Sequence, residues 1–164
     1  MLHGLPMNKK SKKINKYIYF FYPGNINTKT GGYIYQKNIL NYAKKKYFKI
    51  ITFSLSKNYP SPSKKDLKDL LNIIQKIPPD SLLIFDGLIM EGMLPVINLI
   101  KKYTIYTLIH HPLYLEFKGS KSKDFLKIEK KIYKFTDKFL VTSTNTKELL
   151  KNKFNISNKI IKVI

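Results

Sequence analysis

Residues 81–112, SLLIFDGLIMEGMLPVINLIKKYTIYTLIHHP, carry the pattern that decides the fold. Ser81–Phe85 and Thr104–Ile109 are short apolar runs of strand length. Both end abruptly on polar residues, Asp86-Gly87 and His110-His111-Pro112. Between them, Asp86–Glu91 reads as a loop and Leu94–Lys102 as a helix whose Pro95 suits the first turn, where a missing N–H costs nothing. Strand, connection, strand is the repeating unit of a parallel sheet, because parallel neighbours need a crossover of a dozen or more residues.

The same unit recurs on both sides. Lys16–Tyr22 (KYIYFFY) is an apolar, aromatic strand ending at Pro23-Gly24. The turn-rich stretch Asn25–Gly32 leads into a helix over Tyr33–Lys46. Phe48–Leu55 is a second strand. Ser63 is an N-cap candidate, although Asp66 replaces the Glu or Gln of a capping box, and its helix stops before Pro78-Pro79. Downstream, Asp124–Phe135 has Phe125, Ile128, Ile132 and Phe135 on one face, which marks that face as core. Lys138–Val141 is a strand, Ser143 or Thr144 caps a helix to about Phe154, and Ile160–Ile164 is a last strand. Strands with continuous apolar character alternating with amphipathic helices imply an α/β, Rossmann-like, three-layer domain. Its parallel sheet has about six strands, with helices on both faces. Residues 1–15 form a Lys-rich arm, and 16–164 a single domain.

Composition sets outer limits. The chain has 164 residues and no cysteine, so disulfides, thiolate metal sites and a cysteine nucleophile are excluded. No apolar run nears the roughly 20 residues that cross a bilayer, and the N-terminus lacks the apolar core of a secretory signal. A cytoplasmic protein, with contact to the inner membrane face through its charge, is the expectation. The net charge is +21, and every one of the 31 basic residues is Lys. Proteins built to recognise phosphate or bases favour the arginine fork. The Lys excess is therefore open between a compositional bias and an attraction to anionic lipid or nucleic acid. Without Arg, an RNA-binding signature or a recognition helix, nucleic acid is the weakest of these partners.

In an open parallel sheet, ligands bind beyond the carboxyl ends of the strands. Gly31-Gly32, Asp86, His110-His111 and Thr142-Ser143 all fall there. The Gly pair lets backbone approach a ligand at a helix N-terminus, or serves a tight turn of positive φ. It fits neither GxGxxG nor a P-loop. His110 is open between acid–base or hydrogen-bonding work and a structural role. Asp86 is open between ligand binding and capping. Glu116 and Glu129 are placed as solvated or Lys-paired carboxylates rather than ligand contacts. Adjacent histidines on extended backbone point apart, and no third ligand is spaced nearby, so no metal site is expected.

The run YPGNINTKTGGYIYQKNIL, then SLLIFDGL, LIHHPLYLE and FLVTSTNTKELL, resembles the N-terminal half of family 4 glycosyltransferases of the GT-B fold, over about Tyr17–Ile164. The resemblance implies sugar transfer from a nucleotide-sugar co-substrate to a saccharide or lipid-linked acceptor, with retention of configuration and no other cofactor. It implies that Gly31, Gly32 and Tyr33 approach the donor diphosphate and acceptor, and that His110 lies near the transferred sugar. His111 is its neighbour, Asp86 and Glu116 complete the binding group, and Ser143 faces the interdomain cleft. Such enzymes hold the donor mainly in a C-terminal domain. That domain is absent from this stretch, so the expectation is an acceptor-side half, negligibly active alone, and open between a truncated product, a domain excerpt and half of a split enzyme whose C-terminal domain is a separate polypeptide. A non-catalytic module for lipid-linked saccharide or anionic membrane is the alternative.

Overall fold

The computed structural model describes residues 17–46 and 49–164. The arm expected over 1–15, and Lys16 and Phe48 at the starts of two expected strands, lie outside the described residues. Six strands form one sheet in the order β2-β1-β3-β4-β5-β6: β1 (Ile18–Pro23), β2 (Ile50–Leu55), β3 (Leu82–Asp86), β4 (Thr104–Ile109), β5 (Lys138–Val141) and β6 (Ile161–Val163). Every neighbouring pair is parallel. The helices are α1 (Gly31–Lys45), α2 (Lys64–Ile74), α3 (Gly87–Gly92), α4 (Gly119–Ile132) and α5 (Thr144–Phe154). The expected Rossmann-like α/β domain is what the chain forms.

The chain steps from β1 to β2 in one direction and thereafter always in the other. Right-handed crossovers then put α1 on one face and the later helices on the opposite one. The strand side chains sort accordingly. Phe20, Tyr22 and Leu108 pack with Leu40 and Tyr33 of α1. Tyr19, Phe21, Leu83 and Phe85 pack with Leu70 and Ile74 of α2, Ile89 and Met90 of α3, Ile132 of α4 and Leu150 of α5. The centre of this larger core is an aromatic stack, Phe53–Phe21–Phe85, with centroid separations of 5.1 and 4.8 Å.

The structure corrects several expectations. Asp86–Glu91 is not a loop. Asp86 accepts a hydrogen bond from the Leu88 N–H (2.9 Å) and caps α3, which runs straight out of β3. Leu94–Lys102 is not an α-helix but a chain of tight turns around a 3-10 segment, Ile97–Leu99. Its bonds are i→i+3: Val96 N–H to the Met93 carbonyl, Leu99 to Val96, Ile100 to Ile97. A short stretch carrying Pro95, Val96 and Ile97 is a poor helix nucleus. The tighter winding still buries Met93, Ile97, Ile100 and Tyr103. Helix α4 starts at Gly119, five residues before the expected start at Asp124, and becomes 3-10 at Tyr133–Phe135. Only Ile132 of the stripe is fully buried, whereas Phe125 stacks on Phe117 at 4.6 Å nearer the surface.

At Ser63 the capping box is complete after all. The Asp66 N–H donates to Ser63 Oγ (3.2 Å), and Asp66 Oδ2 accepts from the Ser63 N–H (2.8 Å). The shorter Asp suffices because Asn58 Nδ2 and the Ser63 hydroxyl also donate to it. Those donors hold the Asp66 carboxyl well below its ordinary range.

The α3 terminus is where packing is tightest. A Cβ on Gly92 would lie 2.6 Å from Tyr59 Cδ1, 2.9 Å from Pro62 Cδ and 3.0 Å from the Pro60 carbonyl oxygen. Gly92→Ala gains helix propensity of about 1 kcal/mol at most. Overpacking against ring and backbone atoms costs about 1–3 kcal/mol. A net loss of stability is therefore expected, read as a lower denaturant midpoint at constant m-value.

Candidate functional site

The strand order reverses between β1 and β3, and the crevice outside that switch point is where an open α/β sheet takes a ligand. A cleft of about 320 Å³ occupies it, at the small end of ligand pockets. Three segments build it. The first follows β1 and opens α1, supplying Thr30, Gly32, Tyr33 and Gln36. The second follows β3, supplying Asp86, Gly87 and Glu91. The third follows β4, supplying His110, His111, Leu113 and Glu116. Register explains the convergence: Phe21 pairs with Phe85 and Asp86 with Leu108, so the strand ends lie side by side.

Gln36 joins the three segments. Its amide nitrogen donates to Asp86 Oδ2 and lies 3.2 Å from His110 Nε2. Asp86 Oδ2 is 3.8 Å from the same imidazole nitrogen. A donor between two acceptors assigns His110 the tautomer with Nε2 unprotonated. The ring lies against Gly32: a Cβ there would be 3.6 Å from both Cδ2 and Nε2. Tyr35 meets it edge-on at 5.9 Å. The histidine's backbone is held from the other side, where its carbonyl accepts from the hydroxyls of Thr142 (3.2 Å) and Thr146 (2.9 Å).

The electrostatics follow from burial. Desolvation lowers the His110 pKa, and the neighbouring His111 adds to this, so the neutral imidazole is favoured. Burial pushes the Asp86 carboxyl up to about 6, against the hydrogen bonds from Leu88 and Gln36 that oppose it. A carboxyl with a raised pKa and an imidazole with a lowered one thus lie 3.8 Å apart. Burial, then the Asp86 charge, raises the Tyr33 phenol, which donates to the Pro23 carbonyl at 2.5 Å.

The residues singled out in the sequence are partly brought together. Gly32, Tyr33, Asp86, His110, His111 and Glu116 line the cleft. Gly31 and Ser143 do not. Gly31 is the first residue of α1 and faces open space. Ser143 caps α5, its Oγ accepting from the Thr146 N–H at 3.1 Å. Neither residue of the Gly pair has a positive φ. The tight-turn reading therefore fails, and a Cβ on Gly32 would meet the His110 ring in ordinary van der Waals contact. The two histidines diverge as expected: His111 Nε2 turns to Glu116 Oε1 at 2.7 Å, half exposed at the rim.

Sequence reasoning missed Gln36, Glu91 and Thr146. Gln36 is one helical turn beyond Gly32 and so shares its face, which was the available signal. Glu129 is a correction. It is neither solvated nor paired with Lys but wholly buried, accepting from the N–H groups of Leu113 (2.7 Å) and Tyr114 (3.2 Å) and the Tyr133 hydroxyl (2.8 Å).

No known protein-family profile matches the chain, and no curated protein sequence matches it. Among the described residues, no helix is long and apolar enough to cross a membrane.

Proposed function

We propose that this chain is the acceptor-side half of a sugar-transferring enzyme, resembling family 4 glycosyltransferases of the GT-B fold, and that its cleft receives the hydroxyl-bearing part of a saccharide. The observation that carries the reading is the Gln36–Asp86–His110 cluster at the switch-point crevice, beside Gly32. Neutral imidazole, carboxylate and amide are the groups that sort sugar hydroxyls by donor and acceptor. In the transfer itself, the bond from the anomeric carbon to the diphosphate oxygen breaks and an acceptor hydroxyl oxygen bonds to that carbon. The hydroxyl proton leaves to a base. His110, held neutral, accepts hydrogen bonds or a proton there. On this reading the donor nucleotide-sugar is bound mainly by a second domain that faces the cleft.

The test is an NMR titration of the ¹⁵N-labelled chain with hexoses, UDP-hexoses and anionic vesicles. Saturable shifts of the Gly32, Gln36, Gly87 and His110 amides with a hexose or its nucleotide conjugate, persisting in high salt, are expected. Response only to vesicles, vanishing as salt screens the lysines, would replace this reading with that of a membrane-binding module.

A further inference from the structure

Two buried carboxyls meet behind the cleft. Glu91, on α3, lines the cleft wall and is 5% exposed, and Glu129, on α4, is fully buried. They face each other closely enough to share a hydrogen bond. Among the described residues no lysine is salt-bridged to either, although the chain has 31. Two ionised carboxylates cannot occupy such a place together, because burial and mutual repulsion both oppose the second charge. The surrounding donors decide which one is ionised. Glu129 receives the Leu113 and Tyr114 N–H groups and the Tyr133 hydroxyl. Among the described residues Glu91 receives no backbone N–H and only shares the Tyr133 hydroxyl, and its Oε2 is left without a donor.

We propose that Glu91 and Glu129 share one proton, with Glu91 the neutral acid and Glu129 the carboxylate, and that this pair positions the His110–Glu116 turn. The backbone of that turn is gripped twice. Thr142 and Thr146 hold the His110 carbonyl, and Glu129 holds the N–H groups of residues 113 and 114. Pro112, in extended conformation (φ −62°, ψ 136°), stiffens the span between the two grips. Glu91 donates the fourth hydrogen bond to Glu129 and thereby fixes the carboxylate that fixes the turn. Both glutamates are positioning residues. The inference goes beyond the sugar-transfer reading and is independent of which ligand the cleft takes.

The proton is read directly. Glu91 is raised to about 10, first by desolvation and then by the Glu129 charge, with Asp86 and Glu116 adding to it. Tyr133, the other titratable group on Glu129, is raised well above its ordinary value and stays protonated. In ¹³C NMR of the whole chain, titrated from neutral to about pH 11, the Glu129 carboxyl signal is expected at its ionised position throughout. The Glu91 signal is expected to remain at its protonated position until about pH 10. The Leu113 methyl and His110 imidazole signals should move in the same step. Glu91→Gln keeps a donor toward Glu129 and cannot ionise, so it should leave these signals in place at neutral pH and abolish the alkaline step. A Glu91 signal already ionised at neutral pH overturns the proposal. So does a Leu113–His110 step that survives in Glu91→Gln, or failure of that variant to fold. The wild-type titration stands without any variant, and no ligand enters, so the outcome is separate from that of the saccharide titration.

Discussion

Phe85→Ala is expected to lower unfolding stability by about 3–5 kcal/mol, the usual cost of emptying a buried phenylalanine site. Phe85 is wholly buried and stacks on Phe21, which in turn stacks on Phe53. Three strands share these rings, so the cavity opens at the centre of the sheet, where backbone cannot collapse to fill it. Against a total of roughly 5–15 kcal/mol for a domain, that is a large fraction. Urea unfolding checks it through the midpoint at constant m-value, and a loss below about 1 kcal/mol would show that the stack is not the core's centre. The effect reaches the cleft, because the next residue is Asp86. A folded remnant of the variant should show altered His110 imidazole signals.

His110→Ala is expected to lower transfer, in an assembly complete enough to catalyse it, by roughly 10²–10⁴-fold, the range for loss of a positioned acid–base group. The fold should survive, since the ring lies in the cleft and Gln36 keeps its bond to Asp86. The pH dependence has a definite sign. Burial and His111 hold the His110 pKa below its ordinary 6.5. The neutral form therefore dominates at neutral pH, and activity that needs it should rise with pH with its midpoint below 6.5. The same shift makes the folded state lose stability as pH falls from 6.5 through the lowered pKa. Asp86 has the opposite sign: its raised pKa favours the fold at low pH, and that contribution is lost as pH rises through about 6. Imidazole NMR of His110 against pH checks the first shift. A transfer rate unchanged in the alanine variant would remove His110 from the chemistry.

The sheet was legible because its evidence is local. Thr104–Ile109 and Lys138–Val141 have the bounds expected from their apolar runs, and polar residues at strand ends pointed to the rim that carries the cleft. What stayed hidden depended on tertiary partners. Capping by Asp86 is one of two alternatives that the sequence leaves open, but nothing in the spacing of Asp86 to Glu91 says that the segment it caps is a helix rather than a loop. Pro95 fits the first turn of a helix as well as a string of 3-10 turns, and burial of Met93, Ile97 and Ile100 decided between them. Glu129 lies in a run of lysines, where a solvated carboxylate is the ordinary outcome. Its burial follows from the return of the 113–114 backbone, 15 and 16 residues upstream, to meet it.

The cleft differs in sign from the molecule around it. Asp86 and Glu116 line it as carboxylates, with Glu91 beside them as a neutral acid, and among the described residues no lysine does, in a chain of net charge +21. At long range the lysines gather anything anionic, and salt weakens that attraction. At short range the floor accepts hydrogen-bond donors and disfavours phosphate. A ligand with a charged end and a hydroxylated end therefore arrives tail outward: capture and orientation are separate events, the first sensitive to ionic strength and the second not.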